Sequence, residues 1–372
     1  MVTASSTDSS RLVFFVPGIM GSSLFLNRKT AFGTSQTEQI WGNDFQENVR
    51  LFHLHPEYLN PINPHDIQAG EVIRYFNNIR FPQRLLSLIP VPVNRVIVYQ
   101  SLMDFCTQET GLNLTEGTNF FPFAYNWLAD NRETADQLAA YIREKDKDKN
   151  CRFCFVGHSM GGIIIRLMLL NNDDIAEKTD LFFQIASPIQ GSAKAYFGIR
   201  RYPQLDPIFD RVWRWFQRAE TMGALQRAIE RCYSLYQLLP APEIITLYDE
   251  GGTGYSPLDK RLWNPDLHQY INAAIDVHKQ LAQSAKLDIN IKCVYSNQKP
   301  TIIHYIIRPD NFDIIRPIPP SILGDNTVTV ASAIAYSQED TRILINTPPG
   351  DHMGICQNQQ VYNELTNAWN SL

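Results

Sequence analysis

The stretch Gly157-His158-Ser159-Met160-Gly161-Gly162 constrains this chain more than any other, because of what lies on either side of it. Residues 151–156 form a short apolar run that reads as a strand, and residues 161–170 read as a strongly apolar helix. A serine between glycines at that junction marks a tight strand-to-helix turn. The turn crowds the backbone, so the flanking residues must be small, and it lifts the serine hydroxyl to the edge of the sheet. The bare Gly-x-Ser-x-Gly pattern is weak, since both residues are common; the strand before it and the helix after it supply the context that gives it meaning.

Around this turn the chain repeats one rhythm, short apolar runs alternating with helical patterns, as expected of a mainly parallel sheet with helices on both faces. Arg11–Val16 is the first run, 95–98 another, and Asn131–Lys145 places Ala135, Leu138, Ala139 and Ile142 at helical spacing. Residues 151–156, 161–170 and 181–186 make a β-α-β unit at the centre of the sheet. After Ser192 the rhythm is lost until 287–295 resumes as a strand. The expectation is therefore an α/β-hydrolase fold: a core of 11–192 and 287–372, an inserted cap or lid at 193–286, and a second insertion at 41–92. With 372 residues, 44% of them hydrophobic, the chain has enough apolar material for one such large domain.

The formal net charge is −5 and no block of Lys and Arg stands out, which argues against a nucleic-acid partner. Residues 1–10 are polar without an apolar signal core, and no uncharged apolar run reaches about 18 residues, so the expected location is the cytoplasm, with peripheral membrane contact at most. Two segments suit such contact. In 207–222, Ile208, Val212, Trp215, Phe216 and Ala219 share a helical face, with Arg211, Arg214 and Arg218 elsewhere on the turn. That helix either packs on the core with its charges in water or forms a lipid-facing lid, and 81–92, with Phe81, Leu85, Leu86, Leu88 and Ile89, has the same two readings. The six cysteines show neither a disulfide framework nor zinc-ligand spacing, and Cys151 and Cys154 read as strand residues on opposite faces. His53-x-His55 lacks a third ligand, so no metal site is expected.

A serine hydroxyl is a poor nucleophile at neutral pH and needs a base, with a carboxylate to orient it, in the chain order Ser, Asp or Glu, His. Downstream of Ser159 stand His268, His278, His304 and His352. The first two read as cap-helix positions and His304 lies in the strand-like 301–307. His352 follows the strand Arg342–Ile345 in a loop with Pro348, Pro349 and Gly350, where a base can reach the turn. Asp325, in Gly324-Asp325-Asn326-Thr327-Val328, is the leading candidate for the orienting carboxylate. Asp310 and Asp313 lie in what reads as a hairpin turn, and Asp351 adjoins the histidine too closely for a good Nδ1 contact; these remain its rivals. The tetrahedral intermediate needs backbone donors. The amide of Met160 is one candidate and that of Ile19, in the glycine-rich Val16-Pro17-Gly18-Ile19-Met20-Gly21-Ser22 loop, the other, although those glycines could merely make a turn.

These residues resemble the lecithin:cholesterol acyltransferase family, which includes lysosomal phospholipases. Val16-Pro17-Gly18-Ile19-Met20-Gly21-Ser22 is similar to the family's opening loop, Gln39-Ile40-Trp41 to its Ile-Trp element, and Phe123-x-Tyr125-Asn126-Trp127 to its Tyr-Asp-Trp-Arg element. Ala186-Ser187-Pro188-x-x-Gly191-Ser192 resembles its Gly-Ser-Pro segment, Leu238-Leu239-Pro240 a cap motif, and Pro300-Thr301 with Tyr305 a hairpin before the acid. The resemblance implies a Ser159, Asp325, His352 triad with the Ile19 and Met160 amides at the oxyanion. Two positions depart from it: Asn126 and Leu128 stand where the family has Asp and Arg. No counterpart of the lid cysteines of secreted members is identifiable.

The function expected is cleavage of a carboxylic ester of a glycerolipid or phospholipid through an acyl-Ser159 intermediate, resolved by water or an alcohol, with no cofactor. Lipase, phospholipase and acyltransferase are not separated by this reading. Two other readings stand beside it: a non-catalytic lipid- or protein-binding module on the same fold, and a small-ester hydrolase without a lipid interface.

Overall fold

The computed structural model describes residues 11–29, 35–59, 66–77, 95–147, 150–200, 229, 231–308, 310–320 and 322–372. Strands β1 (Arg11–Val16), β2 (Phe120–Pro122), β3 (Arg152–His158), β4 (Thr179–Ile185), β5 (Ile291–Ser296) and β6 (Arg342–Ile345) form one six-stranded sheet in the order β6-β5-β4-β3-β1-β2. Every neighbouring pair in it is parallel. The central strands are apolar almost throughout because both of their faces are covered. Phe14 of β1 shows the packing: its ring stacks on Phe121 at 5.5 Å and on Phe155 at 5.8 Å, and meets Tyr141 edge-on at 6.2 Å.

Five helices matter for the site: α1 (Gln100–Thr107), α2 (Asn131–Lys145), α3 (Met160–Leu170), α4 (His268–Gln283) and α5 (Gln359–Asn370). α3 is apolar on all sides and is buried from Met160 to Leu169, as such a helix must be. It lies against β3, α2 and α4. Its one charged side chain, Arg166, is fully buried, donating to Gln184 Oε1 and Ser284 Oγ, both at 2.7 Å, and facing Cys293 Sγ at 3.6 Å.

The expected β-α-β unit is present as β3, α3 and β4. Residues 95–98, expected within the main sheet, are not there: Arg95–Ile97 pairs antiparallel with Tyr75–Asn77 in a separate ribbon. Arg95 and Ile97 are exposed, whereas a strand of a parallel sheet needs cover on both faces. The edge place beside β1 is taken by β2. Within 41–92, Ile67–Val72 joins Ser22–Lys29 and Ser35–Trp41 in a three-stranded antiparallel sheet. Within 193–286, α4 packs against α3 and so belongs to the layer over the sheet. The segments 81–92 and 207–222 lie outside the described residues. Among the described residues no helix is long and apolar enough to cross a membrane.

The strand order fixes where a site can form. From β1 the chain moves outward to β2, returns to the other side of β1 for β3, and then runs steadily away through β4, β5 and β6. Loops leaving the carboxyl ends of β1 and β3 therefore diverge at this reversal and open a crevice between them. Val16 pairs with Gly157, so the two strands end almost level and their loops emerge side by side.

Candidate active site

Ser159 follows β3 directly with φ 54° and ψ −124°, a conformation that a side-chain-bearing residue adopts only when its surroundings enforce it. Here its N–H donates to the Ile185 carbonyl at 2.9 Å and its carbonyl accepts from the Gly162 N–H at 3.0 Å. The space around the turn also explains its glycines. A Cβ on Gly161 would stand 2.1 Å from the Val16 carbonyl oxygen, and one on Gly162 only 1.9 Å from Ser187 Oγ.

His352, in the loop after β6, brings Nε2 to 2.9 Å from Ser159 Oγ. Its Nδ1 lies 2.7 Å from Asp325 Oδ2, and its backbone N–H donates to the Asp325 carbonyl at 2.9 Å. Asp325 is buried, and its Oδ1 accepts from the backbone N–H groups of Thr327 at 2.9 Å and Val328 at 2.7 Å. Burial pushes the Asp325 carboxyl up, but the charge and hydrogen bond of His352, together with those two amides, outweigh it and hold the group below the usual carboxylate range. The acid loop is held in turn by the segment after β4. Ser192 Oγ donates to the Thr327 carbonyl, and Lys194 Nζ reaches the Asn326 carbonyl and Thr327 Oγ1, each at 3.3 Å.

The rival residues are engaged elsewhere. Asp351 accepts from the Gly354 N–H at 3.0 Å, and Asp310 and Asp313 lie between the paired strands Tyr305–Ile307 and Ile314–Pro317. His278 is buried against the Leu239 carbonyl at 2.8 Å, His268 faces the carbonyls of Lys260 and Trp263, and His304 meets the ring of Tyr248.

The loop after β1 lies over the serine: a Cβ on Gly18 would come within 2.9 Å of Ser159 Cβ. Gly21 N–H closes a turn onto the Gly18 carbonyl at 3.1 Å, and Met20 takes a positive φ of 63°. Aromatic residues from distant parts of the chain pin this loop by its carbonyls. Tyr125 Oη donates to Pro17 O at 2.8 Å, Trp41 Nε1 to Met20 O at 2.9 Å, and Trp127 Nε1 to Ser22 O at 3.2 Å. The two indoles cross edge-on at 5.5 Å. With its carbonyls so engaged, the loop leaves the Ile19 amide without an acceptor among the described residues, and the Met160 amide at the start of α3 has none either.

The chain is similar to several known proteins. A family model described as lecithin:cholesterol acyltransferase matches residues 87–206, which include Ser159. Lecithin-cholesterol acyltransferase-like 4 of Arabidopsis thaliana is 25% identical over 418 aligned positions, covering 95% of this chain and 74% of that protein. The chain is thus similar to lecithin:cholesterol acyltransferases over most of its length. Its fold is also that of the solved Tle4-Tli4 complex, with a TM-score of 0.62 and 14% identity over 97% of this chain and 99% of that one. The fold is accordingly the α/β-hydrolase fold.

The elements that resemble those of the lecithin:cholesterol acyltransferases meet around one point. The opening loop lies on Ser159, the Ile-Trp and Phe-x-Tyr-Asn-Trp elements hold that loop, and the Ser-Pro segment holds the acid loop. Where the family's Asp would stand, Asn126 Oδ1 accepts from the Leu128 N–H at 3.2 Å. Two residues further on, Asp130 pairs with Arg132 at 2.6 Å and accepts from Gln237 at 2.7 Å. Sequence reasoning missed Tyr99, which reaches the site from the start of α1 and bonds to His158 at 2.8 Å. No motif flags it, because it follows a strand that lies outside the main sheet.

Proposed function

We propose that Ser159 attacks the carbonyl of a lipid ester and carries its acyl group, with His352 as base and Asp325 holding the imidazole in place. His352 Nε2 takes the Oγ proton as the Oγ–C bond forms, and the N–H groups of Ile19 and Met160 receive the oxyanion. As the tetrahedral centre collapses, the imidazolium returns the proton to the leaving alkoxide, and the acyl group remains on Ser159. Water or a lipid alcohol then enters by the reverse sequence, giving hydrolysis or acyl transfer. The observation that carries this reading is the unbroken chain from Ser159 Oγ through both nitrogens of His352 to Asp325, at 2.9 Å and 2.7 Å.

The substrate proposed is a glycerolipid or phospholipid, on the strength of the family relationship. Peripheral contact with a lipid surface is assigned to 81–92 and 207–222, on the apolar and aromatic residues of those sequences. The decisive experiment follows p-nitrophenyl esters of short and long acyl chain on wild type and Ser159→Ala, with fluorophosphonate labelling of both. Turnover and labelling lost together in the variant are expected, with preference for the longer chains. Turnover limited to short chains would turn the reading to a small-ester hydrolase. Neither turnover nor labelling, even with detergent-dispersed phospholipid, would turn it to a binding module.

A further inference from the structure

We infer that Tyr99 and His158 are positioning residues for the acyl-transfer reaction, joining the loop that offers the Ile19 amide to the loop that carries His352. This rests on the reading of Ser159 and His352 given above. The bridge has three links. The N–H of Gly18 lies 2.8 Å from Tyr99 Oη, Tyr99 Oη lies 2.8 Å from His158 Nδ1, and His158 Nε2 lies 2.9 Å from the carbonyl oxygen of His352.

With a neutral His158 ring, only one arrangement of protons satisfies all three. The carbonyl of His352 can only accept, so His158 Nε2 must carry the hydrogen. The neutral ring then has a bare Nδ1, which must accept from the Tyr99 O–H, and the Tyr99 oxygen is left to accept from Gly18. The opposite tautomer would set Nε2 and the carbonyl oxygen lone pair against lone pair. Tyr99 and His158 are each 1% exposed, so water cannot replace any of these bonds. A protonated His158 would lose the Tyr99 O–H bond and place a second cation beside the imidazolium that forms on His352, whose ring centre is 5.0 Å away. Burial and the neighbouring His352 both disfavour that state, lowering His158 to about 3.

The bridge is suited to align rather than to bind. Gly18 precedes the amide proposed for the oxyanion, and the carbonyl of His352 belongs to the residue proposed as base. A shift of either loop would separate the oxyanion donor from the base, an effect felt as charge develops in the transition state and little in substrate binding. Neither Tyr99 nor His158 is hydrogen-bonded to Ser159, so neither is placed to transfer the proton.

The test uses Tyr99→Phe, His158→Gln and the double variant, each titrated for active sites with a fluorophosphonate so that kcat refers to competent molecules only. For Tyr99→Phe, kcat per titrated site is expected to fall ~10-fold to ~100-fold, with KM within about twofold of wild type. The double variant should lose little more than the worse single one, because both substitutions break the same bridge. A kcat per titrated site within about twofold of wild type would overturn the inference, since a purely structural role lowers only the number of competent sites. If Tyr99→Phe does not fold, His158→Gln gives the same split between kcat and KM. Turnover that persists in a parallel Ser159→Ala control would instead overturn the reading of the serine.

Discussion

His158 Nε2 lies 2.9 Å from the carbonyl oxygen of His352, and the two imidazoles face each other at 5.0 Å with 41° between their planes. A buried neutral imidazole thus supports the backbone of the histidine that reaches the serine, and this has a thermodynamic consequence. Burial and His352 lower His158 from 6.5 to about 3, so the folded state takes up its proton far less readily than the unfolded chain does. The stability this group contributes is complete above about pH 6.5 and is lost progressively as the pH falls towards 3. Asp325, also lowered, adds to the loss below the ordinary carboxylate pKa of 3.8. Urea melts at pH 7, 5 and 4 should show falling stability, with a shallower fall in His158→Gln. An unchanged slope in that variant would contradict this account.

The chain from Ser159 to Asp325 predicts a graded loss of activity. Ser159→Ala and His352→Ala are expected to lower kcat by ~10⁴-fold or more, and Asp325→Asn by about 10²-fold to 10⁴-fold, because the amide presents the wrong partner to Nδ1. Asp351→Asn, whose side chain faces Gly354, should remain within about threefold of wild type. Steady-state kinetics on one chromogenic ester would check the order, and a larger loss for Asp351 than for Asp325 would reverse the assignment of the acid.

Two glycines of the serine's surroundings predict different failures. Gly162→Ala would drive a methyl into Ser187 Oγ, 1.9 Å away, in a fully packed region, costing about 1–3 kcal/mol in urea unfolding. Gly18→Ala places its methyl 2.9 Å from Ser159 Cβ and 3.2 Å from Tyr99 Oη, at a buried position beside the serine. The expectation there is a loss of fluorophosphonate labelling in the folded protein, beyond whatever stability is lost.

Arg166 is a buried cation held by neutral acceptors, with no salt bridge to a carboxylate among those found for the described residues. Arg166→Ala removes the packing of a long side chain and strands Gln184 Oε1, so a loss of about 2–5 kcal/mol is expected. Arg166→Met restores most of the volume and should recover part of it. Equal stabilities for the two variants would show that the cavity is not what matters.

Liposome flotation addresses the lipid surface. Wild type is expected to float with phospholipid vesicles, and replacing Trp215 and Phe216 by Ser in 207–222 should release it without abolishing turnover of a short-chain ester. A protein that ignores vesicles of every composition would remove that assignment.

Much of the fold was legible because its signals are local. Arg11–Val16, the turn around Ser159 and α3 announce themselves through unbroken apolar character and through glycines whose absent side chains make room for neighbouring atoms. The order Ser159, Asp325, His352 could be read in the same way, since each sits in a turn after an apolar run. Residues 95–98 failed because apolar character alone does not say which sheet a short strand joins; exposure on both sides of Val96 put it in a ribbon with Tyr75–Asn77. What the sequence determined by itself was therefore the kind of sheet, the strained serine turn and the residue types able to act there. Only the tertiary structure decided which carboxylate meets His352, and that Tyr99, 60 residues before Ser159, bonds to the histidine next to that serine. Such pairings depend on distances between segments far apart in the chain, and those are set by how strands and helices pack rather than by any pattern within one segment.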